Sequence, residues 1–136
     1  MHKNFNIIIC GLGGQGVITL TRILANAALL DGYDVKTSEL HGLSQRGGSV
    51  ETHLRFGKKI YSPLIMPSQV DLIINLNKPK KVFEKPALSG IFMLGHYCHK
   101  KIIPLKPSSV LKAIEKIIPT KYIKENKKVF KSTYKD

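Results

Sequence analysis

Cysteine is scarce in this chain, and its scarcity excludes a good deal. Only Cys10 and Cys98 occur among 136 residues, and neither belongs to a Cys-x-x-Cys pair. An iron–sulfur cluster or a structural zinc site needs about four well-spaced ligands, so this chain alone is expected to hold neither. Two distant thiols fit a reduced, cytoplasmic protein better than a disulfide scaffold. Long apolar runs are also missing: no stretch reaches the roughly 18 residues of a transmembrane helix. Met1-His2-Lys3-Asn4 passes straight into a strand-like segment, so no secretory leader is expected. Carboxylates are few. Nine Asp and Glu stand against 22 Lys and Arg, for a net charge of +13.

Much of that charge lies after residue 99, in Lys100, Lys101, Lys106, Lys112, Lys116, Lys121, Lys124, Lys127, Lys128, Lys131 and Lys135. Such a tail suits nucleic acid, an acidic protein or a phosphorylated ligand, and it equally suits a solvated surface. The lysines are spread along helical segments without interleaved arginine and stacking aromatics. That pattern favours the solvated surface, and neither a nucleic-acid nor a membrane partner is expected. The length suits a single domain with a real core, and a hydrophobic fraction of 43% is ordinary for a soluble protein.

What is present is punctuated by glycine. Residues 5–10 read as a buried strand, with the β-branched run Ile7-Ile8-Ile9. From Gln15 to about Leu30 the period becomes helical, and Val17, Leu20, Leu24 and Ala28 share a face. Asp31-Gly32 stops that helix, and Tyr33 to Glu39 reads as a second strand. Strand, glycine turn, helix and strand make a βαβ unit, normally parallel. A glycine-rich polar loop follows, from His41 to Gly48. Val50 to Phe56 alternates as a half-buried strand, Gly57-Lys58 turns it, and Ile60-Tyr61-Ser62 is expected to return as a short antiparallel strand. Asp71 to Leu76 is a further buried strand. Beyond it, helices are expected from Ala87 to Lys101, with Ile91, Leu94 and Cys98 on one face, from a Ser108 or Ser109 cap through Ile118, and from Pro119 toward Tyr134.

The turn at residues 11–16 carries Gly11, Gly13 and Gly16 in Gly-x-Gly-x-x-Gly spacing. In a dinucleotide site the first glycine permits the turn, the second admits a diphosphate, and the third lets helix and strand pack closely. The helix N-terminus then faces the anion. Glu39 lies near the offset at which an acid would bind a ribose hydroxyl. The alternative is purely structural: the glycines only let the helix sit tightly on the sheet. An NAD(P)-binding Rossmann protein is therefore one open reading.

Several linked motifs resemble something more particular. Gly11-Leu12-Gly13-Gly14-Gln15-Gly16-Val17 looks like the signature of the gamma-type domain of 2-oxoacid:ferredoxin oxidoreductases. The likeness continues through residues 36–42, 44–50, 53–57 and 61–65. The pairing of Thr37-Ser38-Glu39-Leu40-His41-Gly42 with Ser44-Gln45-Arg46-Gly47-Gly48-Ser49-Val50 is most similar to the beta subunit of indolepyruvate ferredoxin oxidoreductase. Residues 118–126 also resemble that subunit's C-terminal helix.

The resemblance implies an α/β fold, a Rossmann-like three-layer domain with a small, mainly parallel sheet and a helical C-terminal tail. A single gamma-type domain would span residues 1–136, with its core at 5–76 and its tail at 87–134. Family members usually carry another αβ segment after the strand at 71–76, so the sheet here should be smaller. The implied function is that of the non-thiamine subunit in CoA-dependent oxidative decarboxylation of aryl pyruvates, inactive alone. Thiamine diphosphate, Mg and 4Fe-4S clusters would belong to a large alpha subunit, the partner, with ferredoxin as acceptor and the 2-oxoacid and CoA as substrates. A non-catalytic, truncated interaction module is the further alternative.

For this chain, two glycine-rich loops are the candidate site. Gly11, Gly13, Gly14, Gln15 and Gly16 form the first; Ser44, Gln45, Arg46, Gly47 and Gly48 form the second. Backbone N–H groups with Gln15, Ser44, Gln45 and the Arg46 guanidinium suit a phosphate-bearing group such as CoA, or an acidic loop of the partner. Pairing of Arg46 with Glu39 is the structural alternative. His41, beside the second loop, is a candidate for acid–base work, whereas His53 is expected on an exposed strand face with Glu51 and Arg55. His96 and His99 flank Cys98, and a lone pair of this kind reads as helix surface rather than a metal site.

Overall fold

In a computed structural model of the chain, residues 4–41 and 48–134 are described. The elements run β1 (Phe5–Leu12), α1 (Val17–Leu30), β2 (Asp34–His41), β3 (Ser49–Gly57), a 3-10 turn (Pro67–Gln69), β4 (Leu72–Asn75), α2 (Pro86–His99), α3 (Pro107–Ile117) and α4 (Thr120–Ser132). The α/β class is as expected. No helix among the described residues is long and apolar enough to cross a membrane.

The sheet departs from the mainly parallel expectation. Its order is β2-β3-β1-β4. β1 pairs parallel with β4, but β3 pairs antiparallel with both β1 and β2. β1 and β2 therefore run in the same direction, as a βαβ unit requires, yet β3 lies between them. Burial explains the insertion. Val50, Thr52, Leu54 and Phe56 of β3 are buried, and so is His53 on the opposite face. A strand covered on both faces belongs inside a sheet, not at its edge.

The same insertion removes the short strand expected at Ile60–Ser62. Both edges of β3 are already occupied, so the returning chain finds no free ladder. It crosses the sheet as an irregular strap. Ile60 N donates to Asp34 Oδ2 at 2.8 Å, and Arg55 Nη1 donates to Ser62 O at 2.9 Å.

Helix α1 buries the stripe seen in its sequence: Val17, Leu20, Leu24 and Ala28 all lie in the core with Ile7, Ile9, Leu54 and Phe56. The Phe56 ring stands 5.6 Å from Phe5 and 5.3 Å from Tyr33. A buried pair of hydroxyls, Thr21 and Thr52 at 2.6 Å, ties α1 to β3. Thr21 already donates to Val17 O, so Thr52 is the donor.

The other helices gather on the α1 side of the sheet. α3 packs on α1, α2 packs on α4, and Leu94, Ile114 and Phe130 join the same core. Among the described residues the layers are thus helices on one sheet face, with the strap on the other. Neither Ser108 nor Ser109 caps α3. Its N-cap is Lys106, with Pro107 next, and Asp31 at the end of α1 replaces a cap. The Asp31 carboxylate accepts the Lys106 N–H at 2.9 Å and the Ser109 hydroxyl, locking α3 to α1.

Candidate functional site

Because β1, β2 and β4 point the same way, their C-terminal ends meet at one edge of the sheet. The glycine turn leaves β1 there, and the segment after His41 leaves β2 there. Gly13 N donates to Gly48 O at 3.0 Å, which joins the two loops at their bases. Ser44, Gln45, Arg46 and Gly47 lie outside the described residues. His41 ends β2, in register with Val50.

Within the turn the glycines exchange the roles that their spacing suggested. Gly14 and Gly16 hold φ of +90° and +92°, the left-handed region where a side chain is disfavoured. Gly11 is the close-approach residue. A Cβ there would stand 2.5 Å from Gln15 Oε1 and 3.1 Å from both Leu76 and Val17. So the first glycine seats the strand against the helix, and the last one turns the chain into α1. At Gly16 the nearest atoms to a Cβ would belong to Ala87, at 3.7 Å.

Gln15 folds back into its own loop. Its Oε1 accepts the Leu12 N–H at 2.6 Å, and its N–H donates to Leu12 O at 3.2 Å. The side chain holds the turn and leaves its NH2 group as the part able to meet a ligand. Helix α1 begins at Gly16 with no capping side chain and no acidic residue in its first turn. Its first N–H groups and dipole end open into a groove of about 380 Å³ lined by Leu12, Gly13, Gly14, Val17, Thr19 and Ala87. Thr19, Val50 and Ala87 were not legible as site residues. They reach the groove by packing, and no motif links residue 87 to residue 16.

A second, more apolar cavity of about 270 Å³ adjoins Gly16 and Thr19, between α1, α2 and α4. Lys85 Nζ and Glu125 Oε1 close its rim at 2.7 Å. That carboxylate raises the Lys85 pKa.

The histidines fall differently. His53 is not on an exposed face; it is buried beneath the strap. Its Nδ1 accepts the Ile65 N–H at 3.1 Å, so its Nε2 carries the proton that meets Glu51 Oε2 at 2.8 Å. Arg55 likewise serves the scaffold, its Nε donating to Asn6 Oδ1 at 3.0 Å. Both sit away from the glycine turn. His99 lies against α4, with its Nδ1 2.8 Å from Thr133 Oγ1 and its ring 4.9 Å from that of Phe130. Burial lowers its pKa, partly offset by a hydrogen bond to the Gly95 backbone. Cys98 is buried, and desolvation pushes its thiol up to about 12. Among the described residues no group of three or more His, Cys, Asp or Glu could hold a metal ion.

Residues 6–88, from β1 through the glycine turn to the start of α2, match the family described as pyruvate ferredoxin/flavodoxin oxidoreductase, and the chain belongs to that family. Its similar relatives include indolepyruvate oxidoreductase subunits and subunits of other 2-oxoacid oxidoreductases. It is 44% identical over 73 residues to the indolepyruvate oxidoreductase subunit IorB of Thermococcus kodakarensis, covering 54% of this chain and 36% of that protein. Against the IorB subunit of Archaeoglobus fulgidus it is 48% identical over 71 residues, or 52% of this chain and 35% of the relative. The chain thus spans little more than a third of these relatives.

Two solved structures share the fold. A 2-oxoglutarate:ferredoxin oxidoreductase from Magnetococcus marinus superposes with a TM-score of 0.76 at 15% identity, over 98% of this chain and 31% of that one. Pyruvate oxidoreductase subunit PORC from Thermotoga maritima gives 0.69 at 22% identity, over 98% and 97%. The resemblance read from the sequence, to the gamma-type domain and to its indolepyruvate form, is borne out.

Proposed function

We propose that the chain is the small, non-thiamine subunit of an indolepyruvate-type 2-oxoacid:ferredoxin oxidoreductase. It would support CoA-dependent oxidative decarboxylation of aryl pyruvates when joined to a large subunit that carries thiamine diphosphate, Mg and 4Fe-4S clusters. The observation that carries this reading is the family match over residues 6–88, together with the identity to the IorB relatives over 71 to 73 residues. The Magnetococcus marinus enzyme that shares the fold has 2-oxoglutarate, coenzyme A and succinyl-CoA bound, which is in keeping with a CoA-handling assembly.

In this reading the work of the chain is positioning. The α1 N-terminus, the turn N–H groups, the Gln15 amide and the Arg46 guanidinium would together receive the phosphates of CoA or a carboxylate of the large subunit. No proton transfer or covalent step is assigned to this chain.

The test is reconstitution. Mixed with a thiamine- and cluster-bearing large subunit of the indolepyruvate type, the chain should restore acyl-CoA formation and ferredoxin reduction from an aryl pyruvate, and the isolated chain should give neither. Arg46→Ala should keep the thermal stability of the subunit while lowering CoA-dependent turnover or assembly. Micromolar binding of NAD or NADP to the isolated chain, with no reconstituted turnover, would replace this reading with that of a self-contained nicotinamide-binding protein.

A further inference from the structure

Helix α4 presents a face that the glycine turn does not use. Its inner side is firmly held. Phe130, Asn126 and Thr133 are buried, and α2 comes so close that a Cβ on Gly95 would stand 2.7 Å from Phe130 O. The outer side carries Lys121, Lys124, Lys128 and Lys131, all exposed and spaced i, i+3, i+7 and i+10. At the helical rise they form one stripe about 15 Å long.

The nearby carboxylates are each ion-paired to another lysine, and Glu115 also feels a stripe charge, that of Lys131. Glu115 is held by Lys127 at 2.5 Å, and Glu125 by Lys85 at 2.7 Å. None of the four stripe lysines forms an ion pair among the described residues. A shallow groove floored by Ile123, with Thr120 and Ser132 at its ends, runs along the stripe.

We propose that this stripe is a docking surface for an acidic protein. Four ammonium groups on a rigid helix face attract a carboxylate-rich surface and steer its approach. Nucleic acid is the poorer fit. Arginine, the forked phosphate ligand, does not occur after Arg55. The neighbouring rings are engaged as well: the ammonium groups of Lys85 and Lys121 each lie 5.0 Å from the Tyr122 centroid, and Tyr134 meets the ring of His99. An anionic membrane is also disfavoured, because Ile123, the apolar residue in the groove, is half-buried in the helix packing. The proposal stands independently of the enzymatic reading.

The experiment uses the full chain and fluorescein-labelled poly-L-glutamate, with anisotropy read from about 50 to about 300 mM NaCl. The variant K121Q/K124Q/K128Q/K131Q keeps helix-forming residues and should remain folded by circular dichroism. A control, K58Q/K59Q/K78Q/K80Q, removes the same charge from exposed lysines elsewhere. The stripe variant should bind at least about tenfold more weakly, and the control should change less than about threefold. Equal losses in both variants, no loss in the stripe variant, or no binding by the wild type would overturn the proposal. So would tighter binding of duplex DNA or of phosphatidylserine vesicles than of polyglutamate at the same salt.

Discussion

Gln15 and Leu12 close the glycine turn on itself, with Gln15 Oε1 accepting the Leu12 N–H at 2.6 Å. The bond makes Gln15 a structural element of the turn as well as a candidate ligand group. Gln15→Ala should cost about 0.5–1.5 kcal/mol, since it strips an acceptor from a backbone donor. Gln15→Glu keeps the acceptor and should cost less. Urea denaturation midpoints of the two variants would decide it, and equal losses would mean that the bond contributes nothing.

Gly14 isolates backbone strain from crowding. A Cβ there meets nothing within 4 Å, yet φ is +90°. A side chain there is therefore opposed by a conformational penalty and not by crowding. Stability should fall in the order Gly, Asn, Ala, Val, with Ala losing about 1 kcal/mol and the β-branched residue more. A melting series that places Asn below Val would contradict this ordering.

Gly95 shows the opposite case. Alanine is favoured over glycine by about 1 kcal/mol in an open helix. Here its methyl group would press on Phe130 O and the Thr133 hydroxyl, so α4 must move away from α2. Gly95→Ala should be net destabilising, against an overpacking cost of about 1–3 kcal/mol. A raised melting temperature would show that the two helices separate freely.

His99 links stability to pH. The Thr133 hydroxyl donates to Phe130 O, so His99 Nδ1 must be the donor to Thr133. Burial holds the folded pKa below 6.5, so the folded state binds fewer protons than the unfolded state across that window. The contribution of His99 is present above pH 6.5 and is lost as pH falls through the folded pKa. His99→Gln should flatten the stability profile between about pH 7 and about pH 5 relative to wild type. An unchanged slope would remove His99 as its source.

The two thiols should react unequally. Cys98 is buried with its pKa near 12, whereas Cys10 is half-buried and raised by burial and by the Glu51 charge. A disulfide reagent at mild alkaline pH should titrate Cys10 slowly in the native protein and reach Cys98 only in denaturant. Mass spectrometry of the labelled peptides distinguishes them.

The sequence by itself determined what is local. The apolar period of α1, the β-branched run of β1 and the glycine turn each depend on neighbours within a few residues, and each appears where its pattern stands. The linked motifs of residues 36–50 also carried the family, because they are contiguous strings. Strand order was different. Alternation in β3 showed a strand but not which partners it would take, and only burial on both faces placed it between β1 and β2. The strap over His53, the Asp31 bond to Ser109 and the meeting of Gly16 with Ala87 join residues far apart in the chain. Such contacts have no local period, since a hydrogen-bond partner or a covering side chain is chosen when the core closes. The tertiary structure alone therefore decided which glycine is turned, which is crowded, and which histidine is buried.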